Sequence, residues 1–161
     1  MRICSLCPDG CLCYNKFMNN LSLFHRNDII QYAAETYGAV PEYLWASTPD
    51  AAVFRHTDNR KWYALIMSVQ KDRLGLSGTE PIDILNIKCD PILGSSLRTK
   101  RGFLPGYHMN HEKWLTILLD GTVEPEKIYP LLEMSFELTK SAGKKKTVRS
   151  KKKPEEEREE R

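Results

Sequence analysis

One short segment places side chains that could do chemistry beside a predicted strand. Residues 102–121 read G-F-L-P-G-Y-H-M-N-H-E-K-W-L-T-I-L-L-D-G, a turn-rich part followed by an apolar run and a Gly turn. If Gly106–Met109 is extended, His108 and Asn110 share one face, where they can contact a ligand or phosphates, or polarise a carbonyl. The structural alternative is that these two side chains bond backbone groups and tie the loop down.

Acid–base or nucleophilic chemistry at this segment would need partners. Glu112 and Asp120 are carboxylates near in sequence, but nothing in the sequence shows which way they point. Cys89 is predicted to be a small buried hydrophobe, and as a nucleophile it would need an activating neighbour, for which His108 is the candidate. The H-E pair at 111–112 lacks the second His of a zinc-protease motif. No catalytic residue is therefore predicted.

Four of the five cysteines, Cys4, Cys7, Cys11 and Cys13, lie within ten residues. Four thiolates can hold zinc, but the last two are one residue apart and only three residues separate the halves, which is cramped for tetrahedral binding. An odd cysteine count without a secretory signal also argues against a disulfide framework. We predict no metal and no cofactor; residues 1–20 are either an irregular extension or, in part, sequence that precedes a true start at Met18.

The net charge of +3 is concentrated near the C-terminus. Residues 143–161 hold nine Lys or Arg and five Glu, which leaves 15 basic and 16 acidic residues in 1–142. A near-neutral domain gives no argument for nucleic acid, whereas the Lys/Arg run can either hold phosphates without sequence specificity or act as a solubilising tail. The low-complexity segment 142–161 is predicted to be a disordered charged tail.

Six cations outside the tail could add phosphate contacts. Arg60 and Lys61 occupy the tip of a predicted hairpin, where a wing lying along a nucleic-acid groove needs positive charge. Lys88 should face outward from a strand, and three more cations lie at the C-terminus of a predicted helix, whose dipole alone would explain them. The candidate nucleic-acid-binding residues are Arg60, Lys61, Lys88, Arg98, Lys100 and Arg101.

Cap, turn and periodicity signals give the element order α-β-β-β-α-β-β-α. Asn27 or Asp28 can cap the first helix and Asp90-Pro91 opens the second, while Pro130 should bend or break the last. Strands joined by hairpins with flanking helices indicate an α+β fold with an antiparallel sheet of about five strands. The predicted helices are Asp28–Tyr37, Pro91–Lys100 and Pro125–Thr139, and the predicted strands are Ala52–His56, Trp62–Val69, Ile82–Cys89, Gly106–Met109 and Trp114–Leu119.

Several ordered blocks resemble the MmcQ/YjbR family over roughly residues 26–140. They are V-F-R at 53–55, K-W-Y-A-L at 61–65, L-N-I-K-C-D-P at 85–91, P-G-Y-H-M-N at 105–110, Trp114, Thr116, L-D-G at 119–121 and S-F-E-L at 135–138. The resemblance implies a small α+β domain, an antiparallel sheet with helices on one side, akin to secretion chaperones. The domain is taken as 21–141, and the cysteine-rich extension and charged tail depart from the family pattern.

The resemblance also implies a function class, because family members are commonly labelled DNA-binding through a double-wing arrangement of hairpins, with no established catalytic residues. The leading prediction is a non-catalytic, cytoplasmic bacterial protein that binds DNA through hairpin tips and the basic tail. One alternative is a chaperone-like module that binds a protein or peptide, and another is a small enzyme centred on His108. No apolar run reaches the roughly 20 residues that a membrane helix needs, so no membrane partner is predicted.

Overall fold

Six strands and three α-helices make up residues 25–141, the part of the chain that the computed structural model describes. The predicted α+β class is confirmed, with one more strand than expected, while the predictions for residues 1–20 and the tail from 142 lie outside the described residues. The helices are α1 (Arg26–Tyr37), α2 (Pro91–Leu97) and α3 (Pro125–Thr139), and the strands are β1 (Glu42–Tyr43), β2 (Ala52–Arg55), β3 (Trp62–Gln70), β4 (Pro81–Lys88), β5 (Phe103–Pro105) and β6 (Trp114–Leu118).

All strand pairs are antiparallel, and the order across the sheet is β1-β2-β3-β4-β6-β5. β1 was missed because two residues are too few to show an alternating pattern. A single turn of 3-10 helix, Lys71–Leu74, follows β3. Within residues 25–141 no helix has both the length and the apolar character needed to cross a membrane.

The second helix begins as its sequence predicts and ends early. Asp90 accepts hydrogen bonds from the N–H groups of Ile92 at 2.9 Å and Leu93 at 3.4 Å, and a proline takes the first helical position. The end predicted at Lys100 is wrong, because its N–H bonds the carbonyl of Leu97 at 2.8 Å in a tight turn. The cations after Leu97 therefore lie on a loop.

The other two helices depart from expectation at one residue each. The cap of α1 is His25, whose N–H donates to the Asp28 carboxylate at 2.7 Å, so a cap at Asn27 or Asp28 is wrong. α3 runs through Pro130 without interruption, so the expected break is also wrong. Pro130 donates no hydrogen bond within the helix, but the fully buried face of α3 outweighs that loss.

The strand predicted at Gly106–Met109 is wrong, because this segment is a turn. The N–H of Met109 bonds the Gly106 carbonyl at 3.2 Å. His108 has a φ of 54°, a left-handed conformation that an extended strand excludes. The alternation expected for His108 and Asn110 therefore does not exist, and both residues lie on a loop between β5 and β6.

The α-helices cover one face of the sheet, as predicted. Ile29 of α1 and Ile128 and Leu132 of α3 are fully buried against sheet residues such as Phe54 and Ile87. α3 is also tied to two strands by Ser135, whose hydroxyl accepts from the Lys88 N–H and donates to the Tyr63 carbonyl. These contacts form the main core.

The opposite face of the sheet is also buried, although no α-helix covers it. Val53, Leu65 and Ile84 point to this face and are at most 4% exposed. Loop side chains provide the cover, among them Trp45 before β2, Leu74 and Leu76 after β3, and Tyr107 and Met109 between β5 and β6. The sheet is therefore an inner layer between helices and loops.

A buried polar network fixes the β5–β6 loop on this face. Asn86 of β4 and Thr116 of β6 are fully buried register partners, and the Thr116 hydroxyl donates to the Asn86 side-chain oxygen. The Tyr107 N–H donates to Thr116 Oγ1 at 2.8 Å, and Asn86 Nδ2 donates to the Tyr107 carbonyl at 3.3 Å. Both backbone groups of Tyr107 are thus satisfied inside the protein.

Cys89 lies on the helix side, directly after β4. It is 5% exposed, and burial raises the pKa of its thiol, with a further increase from the adjacent Asp90. A raised pKa leaves little thiolate at neutral pH. The prediction that Cys89 is a small buried hydrophobe agrees with this position.

Thr116→Val should destabilise the domain by about 2–4 kcal/mol, because it leaves the Asn86 oxygen and the Tyr107 N–H buried without partners. Urea unfolding followed by circular dichroism measures the change. The exposed Thr79→Val is the matched control and should stay within about 0.5 kcal/mol of the wild type. Equal effects of the two substitutions would show that the network adds nothing to stability.

Cys89 should resist alkylation in the folded protein at pH 7–8 and react quickly once urea unfolds it, since folding both covers the thiol and suppresses its thiolate. Iodoacetamide labelling with peptide mapping by mass spectrometry separates this cysteine from the four near the N-terminus. Labelling of Cys89 at the same rate in folded and unfolded protein would contradict the buried position.

Candidate functional site

The Asn110 side chain forms hydrogen bonds within its own loop. Its side-chain oxygen accepts hydrogen bonds from the N–H groups of Glu112 at 2.9 Å and Lys113 at 3.2 Å. This is an Asx-type turn that leads into β6. Asn110 therefore takes the structural role that the sequence left open for it.

His108 borders an apolar cavity of about 330 Å³ on the face of the sheet opposite the α-helices. We call it the tryptophan cavity, because Trp45 and Trp62 form one wall with ring centroids 5.7 Å apart and planes 73° apart. The other lining residues are Ser47, Thr48, Leu65, Met67 and Met109. Of the residues 25–141, no carboxylate lines this cavity, so none of them is an acid–base partner for His108 there.

Cys89 and His108 lie on opposite sides of the sheet. Cys89 belongs to the core beneath the helices, whereas His108 borders the tryptophan cavity on the other face. Across residues 25–141, no three His, Cys, Asp or Glu side chains cluster closely enough to hold a metal ion. This placement excludes the pair of Cys89 as nucleophile and His108 as its activating neighbour.

The six predicted cations are divided between the two ends of the sheet. We call one end the tail end: it comprises the β2–β3 turn, the last residue of β4 and the first residue of β6. Arg60 and Lys61 lie in that turn, and Lys88 pairs in register with Trp114. The guanidinium of Arg98 reaches this end as well and donates to a carbonyl of the β5–β6 loop.

Lys100 and Arg101 lie at the opposite, far end, where β3 and β6 finish and β5 starts. The next residue, Gly102, accepts a hydrogen bond from the N–H of Leu118, the last residue of β6, at 2.9 Å. The six cations therefore do not form one patch. Sequence could not show this, because the position of β5 beyond β6 is a property of the sheet order.

Two of the six predicted cations already interact with other side chains, one with a carboxylate and one with an aromatic ring. Arg60 Nη2 lies 2.8 Å from Glu42 of β1, and Lys88 Nζ lies 5.4 Å from the centroid of the Trp114 ring. Within residues 25–141, Lys61, Lys100 and Arg101 have no carboxylate partner. Glu42, which also pairs with Arg55, was not identified from the sequence.

The β2–β3 turn holds the C-terminal end of α3. Asn59 Nδ2 donates to the Thr139 carbonyl at 2.9 Å, and His56 Nε2 lies 2.8 Å from Thr139 Oγ1. A hydrogen bond from the Ser141 side chain lowers the pKa of Asp58. These contacts place residue 141, after which the Lys/Arg run follows in sequence, at the β2–β3 turn of the tail end.

The chain matches known proteins over the region that forms this sheet. The family model named YjbR matches residues 34–138. Over 115 residues the chain is 49% identical to the uncharacterised protein YyaQ of Bacillus subtilis, covering 71% of this chain and 98% of YyaQ.

Solved structures are similar over the same region. A crystal structure of a Pseudomonas syringae protein is 44% identical with a TM-score of 0.71, and the match covers 72% of this chain and 99% of that one. The crystal structure of DR2400 from Deinococcus radiodurans, described as a DUF419 domain, is 26% identical with a TM-score of 0.59, covering 77% and 84%. The family match includes all six strands and most of α3, and the YyaQ protein is 49% identical over the 115 aligned residues. The chain therefore belongs to the YjbR family.

Proposed function

We propose that the protein associates with duplex DNA through its phosphates, without reading base sequence, from the tail end of the sheet. The observation that supports this most is the anchoring of Ser141 and Thr139 on the β2–β3 turn. Seven Lys or Arg follow between residues 144 and 153, before the first Glu of the tail. Because Ser141 is held at the turn that carries Lys61, we expect the turn and the tail to contact one duplex.

The domain alone is a weak partner for DNA. Residues 25–141 hold 13 basic and 15 acidic residues, and the tail end includes Asp58, Asp90 and Glu112 among its exposed side chains. The Lys/Arg run must then supply most of the affinity, while Lys61 and the exposed Lys113 add contacts from the domain. Lys140 at this end is already paired with Glu137.

Full-length protein should bind a labelled duplex with a strong salt dependence, and a variant that ends at Ser141 should lose most of it. Each phosphate contact contributes a slope of roughly −0.9 to the plot of log affinity against log salt. Lys61→Glu should reduce the size of the slope by about 1. Fluorescence anisotropy between 50 and 200 mM NaCl, on two duplexes of unrelated sequence, measures these slopes.

Arg73→Glu is the matched control, because Arg73 is exposed in the 3-10 helix at the far end and has no ion pair among the described residues. It makes the same change in net charge as Lys61→Glu and should leave the slope unchanged. The proposal fails if full-length protein does not bind at 50 mM NaCl, or if the two charge reversals weaken binding equally.

A second candidate function, the binding of an extended peptide, is favoured by the tryptophan cavity and the sheet edge beside it. β1 is an edge strand of two residues, and the segment around it exposes Val40 (81%), Tyr43 (54%) and Leu44 (42%). A peptide strand could pair with β1 and insert an apolar side chain into the tryptophan cavity.

Labelled peptides with alternating Leu and Ser should then bind, and Trp45→Ala should weaken binding at least about fivefold, as expected for an aromatic anchor. The control is Ile92→Ala, which removes an 83% exposed apolar side chain from α2. Peptide anisotropy gives the affinities. Equal affinity for both variants would exclude the tryptophan cavity as the peptide site.

A further inference from the structure

We propose that the far end of the sheet binds a small amphipathic anion, a phosphate or carboxylate group carried on a short apolar body. Two cavities, of about 480 and 460 Å³, adjoin the loop between α2 and β5. Lys100, Arg101, Phe103 and Thr122 line both of them. These volumes fall in the range of about 300–1,000 Å³ that is usual for ligand sites.

The larger cavity, here the polar cavity, is cationic. Among the described residues, Lys71, Lys100 and Arg101 line it together with one carboxylate, Asp120. Arg98 also borders this cavity, but its guanidinium reaches the tail end, where it donates to a carbonyl of the β5–β6 loop. Lys71 pairs with Glu80 at 2.6 Å, whereas the adjacent Lys100 and Arg101 form no ion pair within residues 25–141.

The helix dipole does not account for this arrangement. It favours cations within the last turn of a helix, but α2 ends at Leu97 and is only seven residues long. Lys100 and Arg101 follow that end, on a loop that borders two cavities. An anion placed between these side chains would meet two positive charges and the nearby hydroxyl groups of Ser77 and Thr122.

The loop that presents the two cations is closely held. Gly102 has a φ of 89°, and a Cβ at this position would lie 2.4 Å from the Val123 side chain. The Gly102 carbonyl also accepts the Leu118 N–H at 2.9 Å. A charged pair on a loop with so little freedom is positioned before an anion arrives, which lowers the entropic cost of binding.

The smaller cavity, here the apolar cavity, explains why the anion should carry an apolar body. Leu97, Val123, Pro130 and Leu131 line it together with Phe103, and the two leucines are only half-buried. One carboxylate, Glu126, and Lys127 line this cavity as well. An inorganic anion at Lys100 and Arg101 would leave this surface in water, whereas an attached hydrocarbon group would cover it. Because four residues line both cavities, one molecule can place its anionic group in the polar cavity and its hydrocarbon group in the apolar cavity.

Octyl phosphate and octanoate are the probes, at concentrations where each is monomeric, with isothermal titration calorimetry for affinity and ¹⁵N NMR shifts for location. Both should bind, with the largest shifts in residues 97–104 and 118–131. Butyl phosphate should bind more weakly than octyl phosphate, and inorganic phosphate and 1-octanol more weakly still. Comparing octanoate with octyl phosphate tells whether the preferred head group is a carboxylate or a phosphate.

Lys100→Ala with Arg101→Ala should weaken octyl phosphate binding about tenfold. Lys61→Ala with Lys113→Ala removes two cations from the tail end, has the same net charge and should stay within about twofold of the wild type. The proposal is overturned if the two double variants bind equally, if 1-octanol binds as tightly as octyl phosphate, or if chain length has no effect. The comparisons with 1-octanol and with butyl phosphate use the wild-type chain, so they test the proposal even if a variant fails to fold.

Discussion

The hydrogen-bonded pair of Asn86 and Thr116 is the constraint on which the loop-covered face of this sheet depends. The other buried side chains that we name on that face belong to hydrophobic clusters, and apolar contacts do not require a particular direction. The pair is fully buried and directional, so its groups must find partners, and the two backbone groups of Tyr107 provide them. The β5–β6 loop is thereby held in one position over the strands.

This constraint also decides what His108 and Asn110 can do. With Tyr107 fixed to the sheet, His108 takes a left-handed conformation and borders the tryptophan cavity, while Asn110 closes the turn into β6. The conspicuous Y-H-M-N stretch therefore forms part of the lining of the tryptophan cavity.

The sequence predicted those elements whose ends and faces are set by local chemistry. α3 was placed from Pro125 to Thr139 because its apolar residues lie mostly on one helical face, and β4 was recognised from the apolar positions Ile82, Ile84, Leu85 and Ile87. β1 and the turn at Gly106–Met109 were missed, since pairing at a sheet edge and a positive φ at His108 are imposed from outside the segment. The sequence also could not predict that the cations are divided between the two ends of the sheet, because this follows from β6 lying between β4 and β5.

The same strand order keeps the two ends of the sheet electrically separate. β4 and β6 lie between β3 and β5, so about three strand steps of roughly 4.8 Å each separate Arg60, which directly precedes β3, from β5, and the length of β3 adds to this spacing. The distance exceeds the Debye length of about 8 Å at physiological ionic strength, so exposed charges at the two ends are screened from each other. A duplex held at the tail end would leave Lys100 and Arg101 uncompensated. A near-neutral domain can in this way offer two independent anion sites, which a net charge computed for the whole chain conceals.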